Sequence, residues 1–110
     1  MAYDEELANR LRKTVQGEPG VAEKRMFGGL AFLINDHLAV SASSQGGLLL
    51  RVDPAETESL IQQPQVQRFV MREREMNGWL RVDPSAIETD DELARWVSRG
   101  VAYARSLPPK

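Results

Sequence analysis

The chain has 110 residues and no cysteine, which excludes disulfides, thiolate nucleophiles and cysteine-held zinc or iron–sulfur centres. Its formal net charge of −2 lacks the basic excess of an autonomous DNA binder, so direct nucleic-acid binding is disfavoured. The acidic start Met1-Ala2-Tyr3-Asp4-Glu5-Glu6 is unlike a secretory signal, and no apolar run approaches the ~18 residues of a membrane span. The expectation is a soluble cytoplasmic protein folded as one domain over residues 1–110.

The first element reads as a helix over residues 3–16, because Tyr3, Leu7, Leu11 and Val15 recur at a four-residue spacing. Asp4, Glu5 and Glu6 lie in its first turn and Arg10, Arg12 and Lys13 lie later, as the helix dipole favours. Gly17 and Pro19-Gly20 end it. From Val21 to Asp53 the pattern changes to strands. The apolar runs 30–34, 38–43 and 48–52 are punctuated by Asn35-Asp36 and by Gln45-Gly46-Gly47, which predicts an antiparallel meander.

Leu50-Arg51-Val52-Asp53-Pro54 recurs as Leu80-Arg81-Val82-Asp83-Pro84. Each copy reads as a strand end followed by an Asp cap and a Pro at the first helical position. The first opens a helix over 55–62, and the second opens a short turn. A strand is expected at 66–71, a turn at Asn77-Gly78 and a further strand from Trp79 to Val82. There the alternation of Leu80 and Val82 with Arg81 suits a sheet with one wet face. The last helix starts at the capping-box spacing Thr89/Glu92 and carries one apolar face, Leu93, Trp96, Val97, Gly100, Val101, Ala104 and Leu107. The order predicts an α+β two-layer sandwich, with an antiparallel sheet of five to six strands packed by the N-terminal and C-terminal helices.

Chemistry-bearing residues are sparse, and neither a catalytic group, a metal nor a cofactor is expected. His37 is the only histidine and reads as an exposed or half-packed loop residue. Ser41, Ser43 and Ser44 lack a nucleophile elbow and read as polar positions of a strand and its turn. Asp90-Asp91 suits the first turn of the last helix, and Arg72-Glu73-Arg74-Glu75 suits a solvated strand end or loop. Trp79 and Trp96 fall on apolar phases and are expected in the core. Met26-Phe27-Gly28-Gly29 is the most distinctive segment. It lacks the spacing of a P-loop or a dinucleotide fold, and reads as a bulge or sharp strand bend flanked by Lys24 and Arg25. A second candidate surface is the arginine face Arg95, Arg99 and Arg105 of the last helix.

Lys24-Arg25-Met26-Phe27-Gly28-Gly29-Leu30-Ala31-Phe32, followed by Leu48-Leu49-Leu50-Arg51-Val52-Asp53, resembles the N-terminal domain of the TfoX/Sxy family of bacterial competence regulators. The resemblance spans residues from about 4 to 107. It implies a compact α+β domain and, for full-length members, positive regulation of DNA-uptake genes beside a cyclic-AMP-responsive transcription activator. The chain is expected to correspond to that first domain alone, without the second, helical one.

The functional expectation is a non-enzymatic regulatory or adaptor module acting through protein–protein contacts. Its interaction residues are drawn from Lys24, Arg25, Met26, Phe27, Gly28, Gly29, Arg95 and Arg99, and its partner from the transcription machinery. One alternative is a small-molecule or nucleotide-binding accessory module using the Gly28-Gly29 bend with Lys24, Arg25 or Arg51. Another is weak direct nucleic-acid binding through the arginine face. No membrane contact is expected. A homodimer through an edge strand is open.

Overall fold

Asp4 starts the first helix, its carboxylate accepting the backbone N–H groups of Glu6 and Leu7 at 2.9 and 3.3 Å. This contact and the rest of the fold come from a computed structural model that describes residues 3–26, 28–43, 46–71 and 73–108. Helix α1 (Glu5–Val15) buries Leu7, Ala8, Leu11 and Val15, the stripe its spacing predicts. Strands β1 (Val21–Met26), β2 (Gly29–Ile34), β3 (His37–Ala42) and β4 (Leu48–Arg51) follow as an antiparallel meander. Asn35 and Asp36 both take positive φ, 52° and 70°, as a type I′ connection between β2 and β3 requires.

The repeated Asp-Pro punctuation behaves alike in both copies. Asp53 accepts from the Ala55 N–H at 3.0 Å and Asp83 from the Ser85 N–H at 3.0 Å, each opening a 3₁₀ turn with Pro in its first position. After the first copy only a short helix, α2 (Thr57–Leu60), forms, so the expected helix over 55–62 is mostly 3₁₀ and turn. Strands β5 (Val66–Met71) and β6 (Arg74–Val82) form a hairpin that docks through β6 onto β4. The six strands run β1-β2-β3-β4-β6-β5, leaving β1 and β5 as edges. Helix α3 (Asp90–Ser106) begins at a complete capping box, with the Glu92 N–H donating to Thr89 Oγ1 and the Thr89 N–H to Glu92 Oε1. Helices α1 and α3 pack on one sheet face, giving the α+β two-layer sandwich.

Four local expectations are corrected. Asn77-Gly78 is not a turn but lies inside β6. The register jumps there, from Arg68 opposite Leu80 to Phe69 opposite Met76. Gly78 (φ 82°) is held by long-range partners: its N–H donates to buried Thr57 Oγ1 at 2.8 Å and its carbonyl accepts the Val52 N–H at 2.8 Å. The chain turns instead at Glu73, between β5 and β6, with φ 66°; Arg72 lies outside the described residues.

Next, the Gly28-Gly29 segment is a hairpin connection rather than a bulge. Met26 pairs with Gly29 and Gly28 has φ 76°; Phe27 lies outside the described residues. Gly29 is required by close approach, because a Cβ there would stand 2.2 Å from the Ala42 carbonyl oxygen. Thirdly, the sheet has no wholly wet face. Ala31, Leu33, Leu38, Leu49 and Phe69 form a second buried cluster away from the helices, with Met26 and Trp79 half-buried beside it. Ser41 is buried on that same face and donates to the Leu30 carbonyl at 3.0 Å. Lastly, His37 is a buried strand residue whose Nε2 lies 2.6 Å from the Pro108 carbonyl oxygen, tying the chain beyond α3 to the start of β3. Trp96 is in the main core.

A candidate protein-docking edge

Strand β1 differs from its neighbours β2 and β3 in its exposure. Val21, Ala22, Glu23, Lys24 and Arg25 are exposed and Met26 is half-buried, whereas every residue of β2 and β3 is buried. The reason is that α1 and α3 pack mainly over β2, β3 and β4. Val21, Glu23 and Arg25 stand opposite Ile34, Phe32 and Leu30, residues of the helix-covered core, so they share that face without a helix above them. The result is a groove of about 830 Å³ between α1 and β1, among whose lining residues Val15, Val21 and Phe32 are apolar and Arg12, Lys13 and Glu23 are charged.

Hydrogen bonding fixes which backbone groups of β1 are open. The Asn35 N–H donates to the Gly20 carbonyl at 3.1 Å, making Gly20–Asn35 a bonded pair of the β1–β2 ladder. Bonded and non-bonded pairs alternate along an antiparallel ladder. Ala22, Lys24 and Met26 are therefore bonded to β2, and the N–H and C=O groups of Val21, Glu23 and Arg25 point out from the sheet edge. The other edge is different. The outward N–H of Val66 at the start of β5 already donates to the Gln63 carbonyl at 3.1 Å, and Arg68 pairs with Glu58.

Electrostatics sets the sign of the edge. Arg12 holds Glu23 in a two-pronged ion pair, Nε to Oε2 at 2.7 Å and Nη2 to Oε1 at 2.8 Å. Those hydrogen bonds lower the Glu23 carboxyl from its ordinary value and raise Arg12. A carboxylate lowered on folding adds stability above its unfolded range and loses it as pH falls through the lowered value. Both side chains are partly exposed to solvent, so the pair aligns α1 with β1 more than it stabilises the fold. In an NMR titration the Glu23 carboxyl midpoint should move up in Arg12→Gln; an unchanged midpoint would place the two groups apart in solution. With Glu23 paired, Lys13, Lys24 and Arg25 have no ion pair or side-chain hydrogen bond among the described residues.

The arginine face of α3 is more fully engaged. Arg99 pairs with Glu56 at 3.2 Å, and Arg105 Nη2 reaches Glu18 at 2.5 Å and the Pro19 carbonyl at 3.0 Å. Arg95 and Arg99 line a polar groove of about 300 Å³ with Gln63, Gln65 and Trp96, and it shares no lining residue with the α1–β1 groove. The two groups of sequence-predicted interaction residues thus lie on separate surfaces. Arg51 belongs to neither. Its guanidinium sits 5.1 Å from the Trp79 ring centre and 5.5 Å from that of Tyr103. Among the described residues, no group of three or more His, Asp or Glu side chains converges as a metal site. No helix of the described residues is long and apolar enough to cross a membrane.

The groove residues Arg12, Lys13, Val15 and Val21 escape sequence reasoning, because nothing in the chain announces that α1 lies beside β1. One signal was present: Glu23-Lys24-Arg25, consecutive charges inside a strand, leave no face to bury and mark an edge.

This geometry defines an α+β module with an exposed sheet edge, β1, that presents the cations Lys24 and Arg25. A family model described as the TfoX N-terminal domain matches residues 13–104, and the chain belongs to that family. No curated protein and no solved structure matches it.

Proposed function

We propose that the protein is a non-enzymatic regulatory module of the cytoplasm that acts by holding a partner protein at the α1–β1 face, in transcriptional or competence-type control. The observation that carries this reading is the exposure of β1 beside the α1–β1 groove, against neighbouring strands β2 and β3 that are buried throughout. Membership of the TfoX N-terminal domain family supports the regulatory setting.

The competing readings have less behind them. A phosphate cradle at Gly28-Gly29 would need open space and donors, yet the space beside Gly29 is filled by the Ala42 carbonyl oxygen, which repels anions. Arg51, the other candidate phosphate ligand, is held between aromatic rings. Direct nucleic-acid binding through α3 would draw on Arg99 and Arg105, both already paired with acids.

The test is capture of the tagged protein from its native cell, with and without nuclease. The expected result is nuclease-resistant recovery of a transcription factor or polymerase subunit. Recovery of nothing beyond the protein itself, or turnover of a metabolite by the purified chain, would overturn the reading.

A further inference from the structure

We infer that β1 accepts an extended, acidic segment of the partner as an added strand; this rests on the regulatory reading above and specifies its chemistry. Three features of the same edge converge. The outward N–H and C=O groups of Val21, Glu23 and Arg25 supply a backbone template of the kind that strand addition uses. The α1–β1 groove lies along the helix-facing side of that template, with Val21, 37% exposed, to meet an apolar side chain above buried Val15 and Phe32. Lys13, Lys24 and Arg25 are cations without partners among the described residues, on a chain whose formal net charge is −2. An acidic segment is therefore attracted to this edge and repelled by the chain's net charge elsewhere, which fixes where it docks.

Charged residues on an edge also serve simply to block aggregation. Edge protection needs no groove, however, and the apolar-floored groove beside β1 is what strand addition would use.

The register of the ladder specifies the segment. Successive side chains of a strand point to opposite faces. Arg25 faces the helix side and Lys24 the other, so an added antiparallel strand presents two consecutive acids to them. The partner residue opposite Glu23 is neutral, since Arg12 already satisfies that carboxylate. The residue opposite Val21, three positions beyond the second acid, is apolar and enters the groove. The partner positions facing Arg25, Lys24, Glu23, Ala22 and Val21 therefore read acid, acid, neutral, any, apolar.

A random twelve-residue peptide library displayed on phage and selected on the intact protein tests this. The expected result is enrichment of that pattern. The synthesised winner should slow hydrogen exchange at the Val21, Glu23 and Arg25 amides. Its affinity should fall at least tenfold in Lys24→Glu/Arg25→Glu, whose exposed positions leave folding intact. Glu23→Pro removes one outward N–H without touching a β1–β2 bond and should weaken the same peptide at least tenfold. Four outcomes overturn the inference: no enrichment, winners without acids, protection of amides elsewhere, or binding unchanged in both variants. Two more results do the same, namely an oligonucleotide displacing the peptide, or self-association that Lys24→Glu/Arg25→Glu abolishes. If cell capture still recovers a partner with both variants, strand addition fails while the regulatory reading stands.

Discussion

Phe32→Ala should lower the melting temperature by roughly 12–20 °C. Phe32 is 1% exposed and is the bulkiest of the fully buried side chains. It lies at the centre of β2, opposite Glu23 on one side and Val40 on the other, beneath α1. Truncating a buried Phe to Ala removes its transfer free energy and leaves a cavity, about 3–5 kcal/mol together. In a chain of this size each kcal/mol shifts the midpoint by about 4 °C. Collapse around the hole is limited, because β2 is tied into the ladder on both sides. Phe32 also lines the α1–β1 groove, so the same change should deepen that groove and weaken any ligand resting on it. Thermal unfolding followed by circular dichroism reads the first effect. A loss below about 1 kcal/mol would mean that α1 does not close over β2 as described.

Gly100→Ala should destabilise the protein even though helix propensity favours it. Within a helix, Ala is preferred over Gly by about 1 kcal/mol. At this position a Cβ would stand 2.5 Å from the Ala39 carbonyl oxygen and 2.9 Å from Leu50 Cδ1. Ala39 is the extra residue where the β2–β3 register shifts, with Phe32 opposite Val40 and Leu33 opposite Leu38. A bulge residue in a central strand cannot retreat cheaply, so α3 has to lift from the sheet. Overpacking of this kind costs about 1–3 kcal/mol, and denaturant unfolding should show a net loss in that range. Stabilisation by about 1 kcal/mol would instead mean open space between Gly100 and β3.

Both predictions rest on packing that the sequence foreshadows unevenly. Elements set by local chemistry are legible. The Thr89/Glu92 capping box, the Asn35-Asp36 connection and the paired Asp-Pro starts all use side chains that bond backbone within a few residues. The apolar stripes of α1 and α3 are legible too, since a helix repeats its buried face on a fixed period. What depends on distant partners is not. Gly78 carries the strongest turn dipeptide in the chain, yet Thr57 and Val52 hold it inside a strand. The second buried cluster is invisible to strand alternation, which cannot say whether the far side of a sheet is covered.

The candidate site divides in the same way. Lys24 and Arg25 stand out in the sequence, and the structure places them on the open edge. Met26 turns half inward to the second cluster, and Gly29 is occupied by packing against Ala42. Arg95 and Arg99 lie on a separate surface beside α3. The groove that gives the edge its shape is formed by α1 and β1 together, and no local pattern carries that adjacency.

The most direct test of the account compares partner capture from native cells by the unmodified protein, by Lys24→Glu/Arg25→Glu and by Arg95→Glu, with nuclease present throughout. The β1 variant should lose at least nine-tenths of the recovered partner, about a tenfold loss or 1.4 kcal/mol of binding, while Arg95→Glu retains it. Retention by the β1 variant together with loss in Arg95→Glu would contradict this expectation and move the docking surface to α3.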